Sequence, residues 1–242
     1  MITVNSISKA YSRKIAVDIN KLHIARGEML GLVGNNGAGK TTFFRLLLDL
    51  VKADRGEILS KEKNVSNSED WKSYTASYLD DGFLISYLTP EEYFYFIGKL
   101  NNRSKADVDE FLKTFEAFFD GSILQSGKYI RDLSKGNQFK VGITSCLLQH
   151  PQIIILDEPF ANLDPSSQIR LKNMLKDEHE KNCTTIIISS HDLNHITDVC
   201  TRILLMEKGI IIKDMQAASD TLRELEEYFQ VSTNTISPSA TN

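Results

Sequence analysis

A glycine-rich segment, GNNGAGKTT at residues 34–42, limits the folds that are open to this chain. It follows MLGLV at residues 29–33, an uninterrupted apolar run that is typical of a strand buried on both faces of a parallel sheet. The apolar residues of the next segment, 41–51, recur at helical spacing. Because a phosphate-binding loop lies between a buried strand and a helix, the sequence predicts an α/β domain that binds a phosphorylated ligand here.

Each part of this loop has a physical reason to bind phosphate. Glycines allow successive backbone N–H groups to converge on phosphate oxygens, and the helix N-terminus adds positive potential. We expect Lys40 to neutralise the charge of the β- and γ-phosphates and the Thr41 hydroxyl to bind Mg²⁺. The predicted nucleotide-binding residues of the loop are Asn35, Gly37, Ala38, Gly39, Lys40, Thr41 and Thr42.

Two adjacent carboxylates follow a second buried strand in ILDEP, residues 155–159. Open α/β sheets bind their ligands at the carboxyl ends of the strands. We expect Asp157 to hold Mg²⁺, directly or through water, and Glu158 to polarise the water that attacks the γ-phosphate, since phosphoryl transfer depends chiefly on positioning and charge stabilisation. Alone, two acids after a strand would indicate a turn and a helix cap; beside the phosphate loop they indicate a catalytic site.

The composition of the chain indicates which partners and which cellular compartment to expect. The chain has 28 Lys and Arg against 32 Asp and Glu, a formal net charge of -4, so we expect no nucleic-acid partner. Its three cysteines are too few and too scattered for a disulfide framework or a CxxC zinc site. We find no apolar run near the roughly 20 residues that span a bilayer and no signal peptide, so a cytoplasmic location is expected.

The pattern of apolar and polar residues changes along the chain. Residues 2–24 alternate between apolar and polar, as in antiparallel strands with one buried face. Helical periodicity dominates from about residue 83 to 150, and Thr89-Pro90-Glu91-Glu92 is a typical helix start. Beyond Pro151 strands and helices alternate, which indicates a mostly parallel sheet. The last segment, 231–242, is small and polar and is predicted to be a flexible tail.

A third motif, DLSKGNQ at residues 132–138, precedes a predicted helix just upstream of the ILDEP strand. With these motifs in this order, the chain resembles the nucleotide-binding domain of ABC transporter ATPases over about residues 2–214. The resemblance implies an α/β P-loop NTPase fold with a mostly parallel core sheet, an N-terminal antiparallel β subdomain and an inserted helical subdomain. It also implies that one such domain spans residues 1–230.

The resemblance implies further site residues. In that family the signature sequence of one domain caps the γ-phosphate bound by the other, and here Ser134 and the Gly136 backbone would do so; alone, the segment would indicate an ordinary serine-capped helix. Asp164 in NLD resembles the loop that communicates between domains, His191 in ISSHD the switch histidine, and Tyr11 in KAYS the aromatic residue that stacks on adenine. The implied catalytic residues are Lys40, Glu158 and His191.

The chain departs from the family pattern at three positions. Lys135 and Asn137 stand where the commonest signature has glycine and glutamine. Asp81 lies close to the position of a loop glutamine that approaches the metal, and an ionised aspartate accepts hydrogen bonds without donating any. We therefore list Asp81 with Thr41 and Asp157 as metal-site residues and expect altered magnesium sensing or permease coupling. Unchanged ATPase rate, metal dependence and transport in Asp81→Gln would refute this hypothesis.

The resemblance implies that ATP and Mg²⁺ are the cofactors and that two such domains, expected to be identical copies, close around ATP. Their partner would be an integral membrane permease on whose cytoplasmic side the chain sits. The spacing from Ser77 to Phe94 resembles that of ABC ATPases with exporter-type permeases, which favours export. The aromatic residues from Tyr93 to Phe96 are candidates for the permease contact. Two alternatives stay open: a non-transport ABC-type ATPase in translation or DNA maintenance, and a regulatory nucleotide-binding module.

Overall fold

The computed structural model describes residues 1–79 and 83–234. These residues form two β-sheets with α-helices packed around them. The strands are β1 (Ile2–Tyr11), β2 (Lys14–Ile24), β3 (Met29–Val33), β4 (Arg55–Ser60), β5 (Lys63–Asn64), β6 (Thr75–Tyr78), β7 (Ile153–Asp157), β8 (Thr185–Ser190), β9 (Arg202–Glu207) and β10 (Ile210–Gln216). The helices are α1 (Lys40–Leu47), α2 (Pro90–Leu100), α3 (Lys105–Lys113), α4 (Glu116–Phe119), α5 (Lys135–Leu148), α6 (Pro165–Asn182), α7 (Leu193–Val199) and α8 (Thr221–Asn234).

The smaller sheet is antiparallel and lies near the N-terminus, with strand order β2-β1-β4-β5. β1 and β2 pair from Ile2 opposite Ile24 to Tyr11 opposite Lys14. Alternation of buried and exposed residues along both strands turns one face of this hairpin toward the core. The antiparallel β subdomain predicted from residues 2–24 is thereby confirmed.

The larger sheet has the strand order β10-β9-β3-β8-β7-β6 and is parallel except for the β9–β10 pair. Alternate residues of β3 contribute to two hydrophobic clusters on opposite faces: Met29 and Val33 to one, Leu30 and Leu32 to the other. Burial on both faces explains the continuous apolar run in the sequence. The register pairs Asp157 of β7 with Ser189 of β8, so the carboxyl ends of these strands lie side by side.

Residues between about 83 and 150 are helical, as the periodicity predicts. α2 begins with a capping box in which Thr89 accepts from the Glu92 N–H and Glu92 accepts from the Thr89 N–H. Along its aromatic run, Tyr93 and Phe94 are buried, whereas Phe96 is 42% exposed. The run is thus divided between the core and the surface.

The last helix, α8, reaches Asn234, so four residues of the predicted tail 231–242 are helical; the other eight lie outside the described residues. Leu225 is fully buried, and Tyr228 and Phe229 pack against the core, which anchors the helix. Once anchored, a helix extends at little cost through polar residues. In residues 1–79 and 83–234, every helix is too short or too polar to cross a membrane.

Candidate functional site

The loop between β3 and α1 forms one side of a pocket at the carboxyl edge of the larger sheet. Gly37 and Gly39 adopt left-handed backbone conformations, with φ of 81° and 112°, which L-residues rarely adopt. The pocket has a volume of about 220 Å³ and its other side is formed by the end of β7. Among the described residues its lining consists of Ala16, Asn35, Asn36, Gly37, Ala38, Gly39, Lys40, Thr41, Thr42, Asp157 and Glu158.

Distant parts of the chain hold this loop in place. A Cβ at Gly39 would lie 2.3 Å from the Ala16 carbonyl oxygen on β2, so glycine permits the close approach of that hairpin. On the other side, the Gly209 N–H in the β9–β10 turn donates to the Ala38 carbonyl at 2.8 Å. The Asp18 N–H donates in turn to the Gly209 carbonyl at 2.8 Å, which links the hairpin to the turn.

Lys40 is the cation of the pocket. Its side chain is 7% exposed, and Nζ donates to the Gly34 carbonyl at 2.6 Å. The same Nζ lies 3.4 Å from Glu158 Oε1. The ammonium group is therefore fixed between the start of the loop and the second acid of ILDEP, where phosphate oxygens bound to the loop N–H groups would meet it.

Asp157 is held by a hydroxyl on each carboxylate oxygen. The Thr41 hydroxyl donates to Oδ2 at 2.5 Å, and the Ser189 hydroxyl donates to Oδ1. Burial raises the pKa of Asp157, and the two hydroxyl hydrogen bonds oppose that rise because they stabilise the carboxylate. A hydroxyl beside a carboxylate is a hard-oxygen donor pair of the kind that Mg²⁺ prefers.

The described residues contain no cluster of three or more His, Cys, Asp and Glu side chains that could hold a metal by itself. Mg²⁺ usually takes one or two protein carboxylates and completes its shell with water and substrate phosphates. Thr41 and Asp157 fit that pattern. Asp81, the third predicted metal residue, lies outside the described residues.

Glu158 has an unusual backbone conformation, with a left-handed φ of 50°. Its N–H donates to the Ser189 carbonyl at 3.2 Å and to Ser189 Oγ at 3.0 Å. Its Oε2 lies 2.8 Å from His191 Nδ1 and accepts from the His191 N–H at 3.2 Å. The structure thus brings together Lys40, Glu158 and His191, the three predicted catalytic residues.

The signature segment lies apart from this pocket. Ser134 is exposed and caps α5, where its hydroxyl accepts from the Asn137 N–H at 3.2 Å. Gly136 packs so closely on the loop after β7 that a Cβ there would lie 2.6 Å from the Asn162 carbonyl oxygen. Neither residue contributes to the pocket lining given above, so within one copy of the described chain they do not meet a ligand in this pocket.

Two other predicted contacts are also outside the pocket lining. Asp164 caps α6: it accepts from the hydroxyls of Ser166 and Ser167, each at 2.6 Å, and from the Ser167 N–H at 3.0 Å. These bonds hold the pKa of Asp164 well below its usual value. Tyr11 is 46% exposed at the end of β1, and Lys9 Nζ lies 5.5 Å from the centre of its ring.

Sequence reasoning missed three contributors to the site: Ala16, Ser189 and Asn36, which lies inside the predicted loop but was not among its predicted nucleotide-binding residues. Ala16 has no sequence signal, because its contact with the loop depends on how the hairpin packs. Ser189 does have one: it is a polar residue near the end of TIIISS, a strand that is otherwise apolar apart from its first and last residues. A polar residue at the carboxyl end of a buried strand points to the ligand-binding edge of such a sheet.

Comparison with known proteins assigns the family. A family model described as ABC transporter matches residues 17–161, more than half of the chain. An ABC transporter ATP-binding protein of Bacillus subtilis, YhaQ, is 31% identical over 219 residues, which cover 86% of this chain and 69% of the relative. The SkfA peptide export ATP-binding protein SkfE of the same organism is 30% identical, with 89% of each chain covered.

The fold agrees with solved structures. A dimeric ATP-binding cassette in a post-hydrolysis state, bound to ADP and Pi, superposes with a TM-score of 0.79 at 22% identity, over 90% of this chain and 100% of that one. The predicted fold class, with its mostly parallel core sheet and antiparallel β subdomain, is confirmed. From the family match and the identities together, this chain belongs to the ABC transporter family, as one of its ATP-binding proteins.

Proposed function

We propose that this chain binds ATP at the loop of residues 34–42, hydrolyses it, and uses the reaction to drive a membrane permease. The observation that carries this proposal is the meeting of Lys40, Glu158 and His191 beside the phosphate loop. Glu158 lies 3.4 Å from Lys40 Nζ and 2.8 Å from His191 Nδ1. A cation beside a phosphate loop can stabilise the phosphate charge, and a carboxylate held by an imidazole can position the attacking water, which are the tasks on which phosphoryl transfer to water depends.

Each residue has a distinct role in the proposal. The loop N–H groups and Lys40 bind the phosphates, Glu158 orients and polarises the attacking water, and His191 holds the Glu158 carboxylate toward the γ-phosphate. Thr41 and Asp157 would hold Mg²⁺, which supplies positive charge against the phosphate oxygens when it is bound. Tyr11 is proposed to stack on adenine, because it is an exposed aromatic residue on the hairpin that carries Ala16.

The proposed active unit is a pair of identical chains, each with a nucleotide-binding domain over residues 1–230. Its support is the position of the signature: Ser134 and Lys135, the cap and first residue of α5, are exposed and lie outside the pocket of their own chain. An exposed helix N-terminus is able to meet the phosphate of a nucleotide bound to a second copy. Asp164 would lie at the same interface, and the solved cassette named above is also dimeric.

The proposed partner is an integral membrane permease, with this chain on its cytoplasmic side and export as the direction. The name of SkfE, a relative at 30% identity, specifies peptide export. The exposed ring of Phe96 on α2, beside the buried Tyr93 and Phe94, offers an apolar contact for a permease segment. The substrate would be set by that permease.

The test uses Glu158→Gln in the purified full-length chain. Removing the general base while keeping its shape should lower the hydrolysis rate by about 10²-fold or more and leave ATP binding intact. The matched control is Glu110→Gln on α3, an exposed glutamate whose partner is Lys113, and it should hydrolyse ATP at the wild-type rate. Rates are measured by phosphate release and binding by equilibrium titration. Hydrolysis by Glu158→Gln at the control rate would remove Glu158 from the proposed role.

A further inference from the structure

Ser189 joins the two acids of the site, and nothing in the motifs assigns it a function. It lies on β8 directly opposite Asp157 of β7 and is fully buried. We propose that Ser189 is a positioning residue for ATP hydrolysis, because its hydroxyl fixes the Asp157 carboxylate and the Glu158 backbone relative to one another. The kinetic part of this inference rests on the function proposed above.

The hydroxyl of Ser189 both donates and accepts a hydrogen bond. A serine hydroxyl has one proton to donate and two lone pairs to accept with. Here the proton is donated to Asp157 Oδ1, and Oγ accepts from the Glu158 N–H at 3.0 Å. Because Ser189 takes Oδ1, the other oxygen, Oδ2, is left for the Thr41 hydroxyl and faces the phosphate loop. One buried group therefore orients both acids.

The Glu158 backbone needs such a contact more than an ordinary turn does. Its φ of 50° lies in the left-handed region, which residues with a side chain seldom occupy and which persists where the surroundings hold it. This conformation brings the Glu158 carboxylate to Lys40 and His191. The two acceptors of the Glu158 N–H both come from Ser189, its carbonyl at 3.2 Å and its hydroxyl at 3.0 Å.

Substitution separates these two acceptors. Any residue at position 189 keeps the carbonyl, whereas alanine lacks the hydroxyl, so Ser189→Ala tests the hydroxyl alone. The neighbouring Ser190 does not duplicate this contact, since its Oγ accepts from the Asp192 N–H at 3.0 Å. The matched control is Ser60→Ala: Ser60 is a buried strand serine in the smaller sheet whose hydroxyl contacts the Tyr74 hydroxyl at 3.1 Å.

The experiment compares wild type, Ser189→Ala, Ser189→Thr and Ser60→Ala as full-length protein. Hydrogen exchange of the Glu158 amide is measured without nucleotide, and kcat and KM for ATP are measured with Mg²⁺. Ser189→Ala removes two hydrogen bonds, one to the Asp157 carboxylate and one from the Glu158 N–H. Loss of the second should speed exchange at Glu158 about 10-fold, and both losses together should lower kcat about 10-fold, with KM within about twofold. Ser189→Thr, which keeps the hydroxyl, should lie closer to wild type in both measurements.

Several outcomes would overturn the inference. The first is wild-type exchange at Glu158 in Ser189→Ala, and the second is faster exchange in that variant with unchanged kcat. The third is a loss of kcat in Ser60→Ala equal to that in Ser189→Ala. If Ser189→Thr does not fold, the comparison of the two alanine variants still decides. Failure of the proposed function is distinguishable, because it would appear as wild-type hydrolysis by Glu158→Gln, whereas the exchange measurement does not depend on hydrolysis.

Discussion

Replacing Gly136 with alanine tests how tightly the signature helix is packed on the loop that follows the site acids. Gly136 is the second residue of α5 and is not in the left-handed region. Judged by helix propensity alone, Gly136→Ala should stabilise the helix, by up to about 1 kcal/mol. Packing predicts the opposite sign, which makes this substitution informative.

The magnitude follows from the contact distance. The alanine methyl would lie 2.6 Å from the Asn162 carbonyl oxygen, whereas an unstrained carbon–oxygen contact is about 3.3 Å, so about 0.7 Å must be gained by moving backbone. Overpacking of this kind costs about 1–3 kcal/mol. After a propensity gain of about 1 kcal/mol is subtracted from a cost near the middle of that range, we expect a net loss of about 1 kcal/mol in the free energy of unfolding, and a lower ATPase rate because the signature is displaced.

The assay is urea unfolding of the nucleotide-free protein followed by circular dichroism, with ATPase rates measured beside it. Lys135→Ala is the control for stability, because an exposed residue in the same helical turn should change the free energy of unfolding by no more than about 0.5 kcal/mol. If Gly136→Ala is as stable as wild type, or more stable, and hydrolyses ATP normally, then the close approach to Asn162 does not limit the site.

Two further predictions concern residues away from the pocket. Arg202 donates to both Asp214 oxygens, at 2.6 and 2.7 Å, and to Glu28 at 3.0 Å. Arg202→Ala should therefore lower the free energy of unfolding by about 2 kcal/mol, a value between those for exposed and buried ion pairs. An unchanged urea midpoint would contradict this prediction. A thiol reagent should react with one cysteine in the native protein, the exposed Cys183, and with three after unfolding. The reason is that burial raises the pKa of Cys146 to about 12 and also raises the pKa of Cys200. Reaction of all three cysteines in the native state would refute this prediction.

Sequence patterns predicted the parts of this molecule whose structure is decided locally. The buried run before Gly34, the loop after it and the capping box at Thr89 each carry their own signal in a few neighbouring residues. The same holds for Ser134, which was predicted at a helix N-terminus and is found there as an exposed cap. In these cases the local preference and the tertiary structure agree.

What the sequence did not predict depends on contacts between distant segments. Ser189 acquires its role through strand register, since it is opposite Asp157 only because β7 and β8 pair in parallel. Asp164 caps α6 through its near neighbours Ser166 and Ser167, whereas its contact with a second copy depends on a distant segment and stays a prediction. α8 continues into the predicted tail because the apolar residues that anchor the helix precede the polar segment.

The phosphate loop is supported by strands and turns far from it in the sequence, so the loop segment alone should not keep its structure in another protein. The family match ends at residue 161 and includes the loop and both site acids. It excludes Gly209, which donates to the loop at Ala38, and β8 and β9, which flank the loop's own strand. A segment limited to the matched residues would carry the loop and both acids but would lack His191 and the strands that support the loop. The smallest segment that keeps the supported loop therefore extends past the β9–β10 turn.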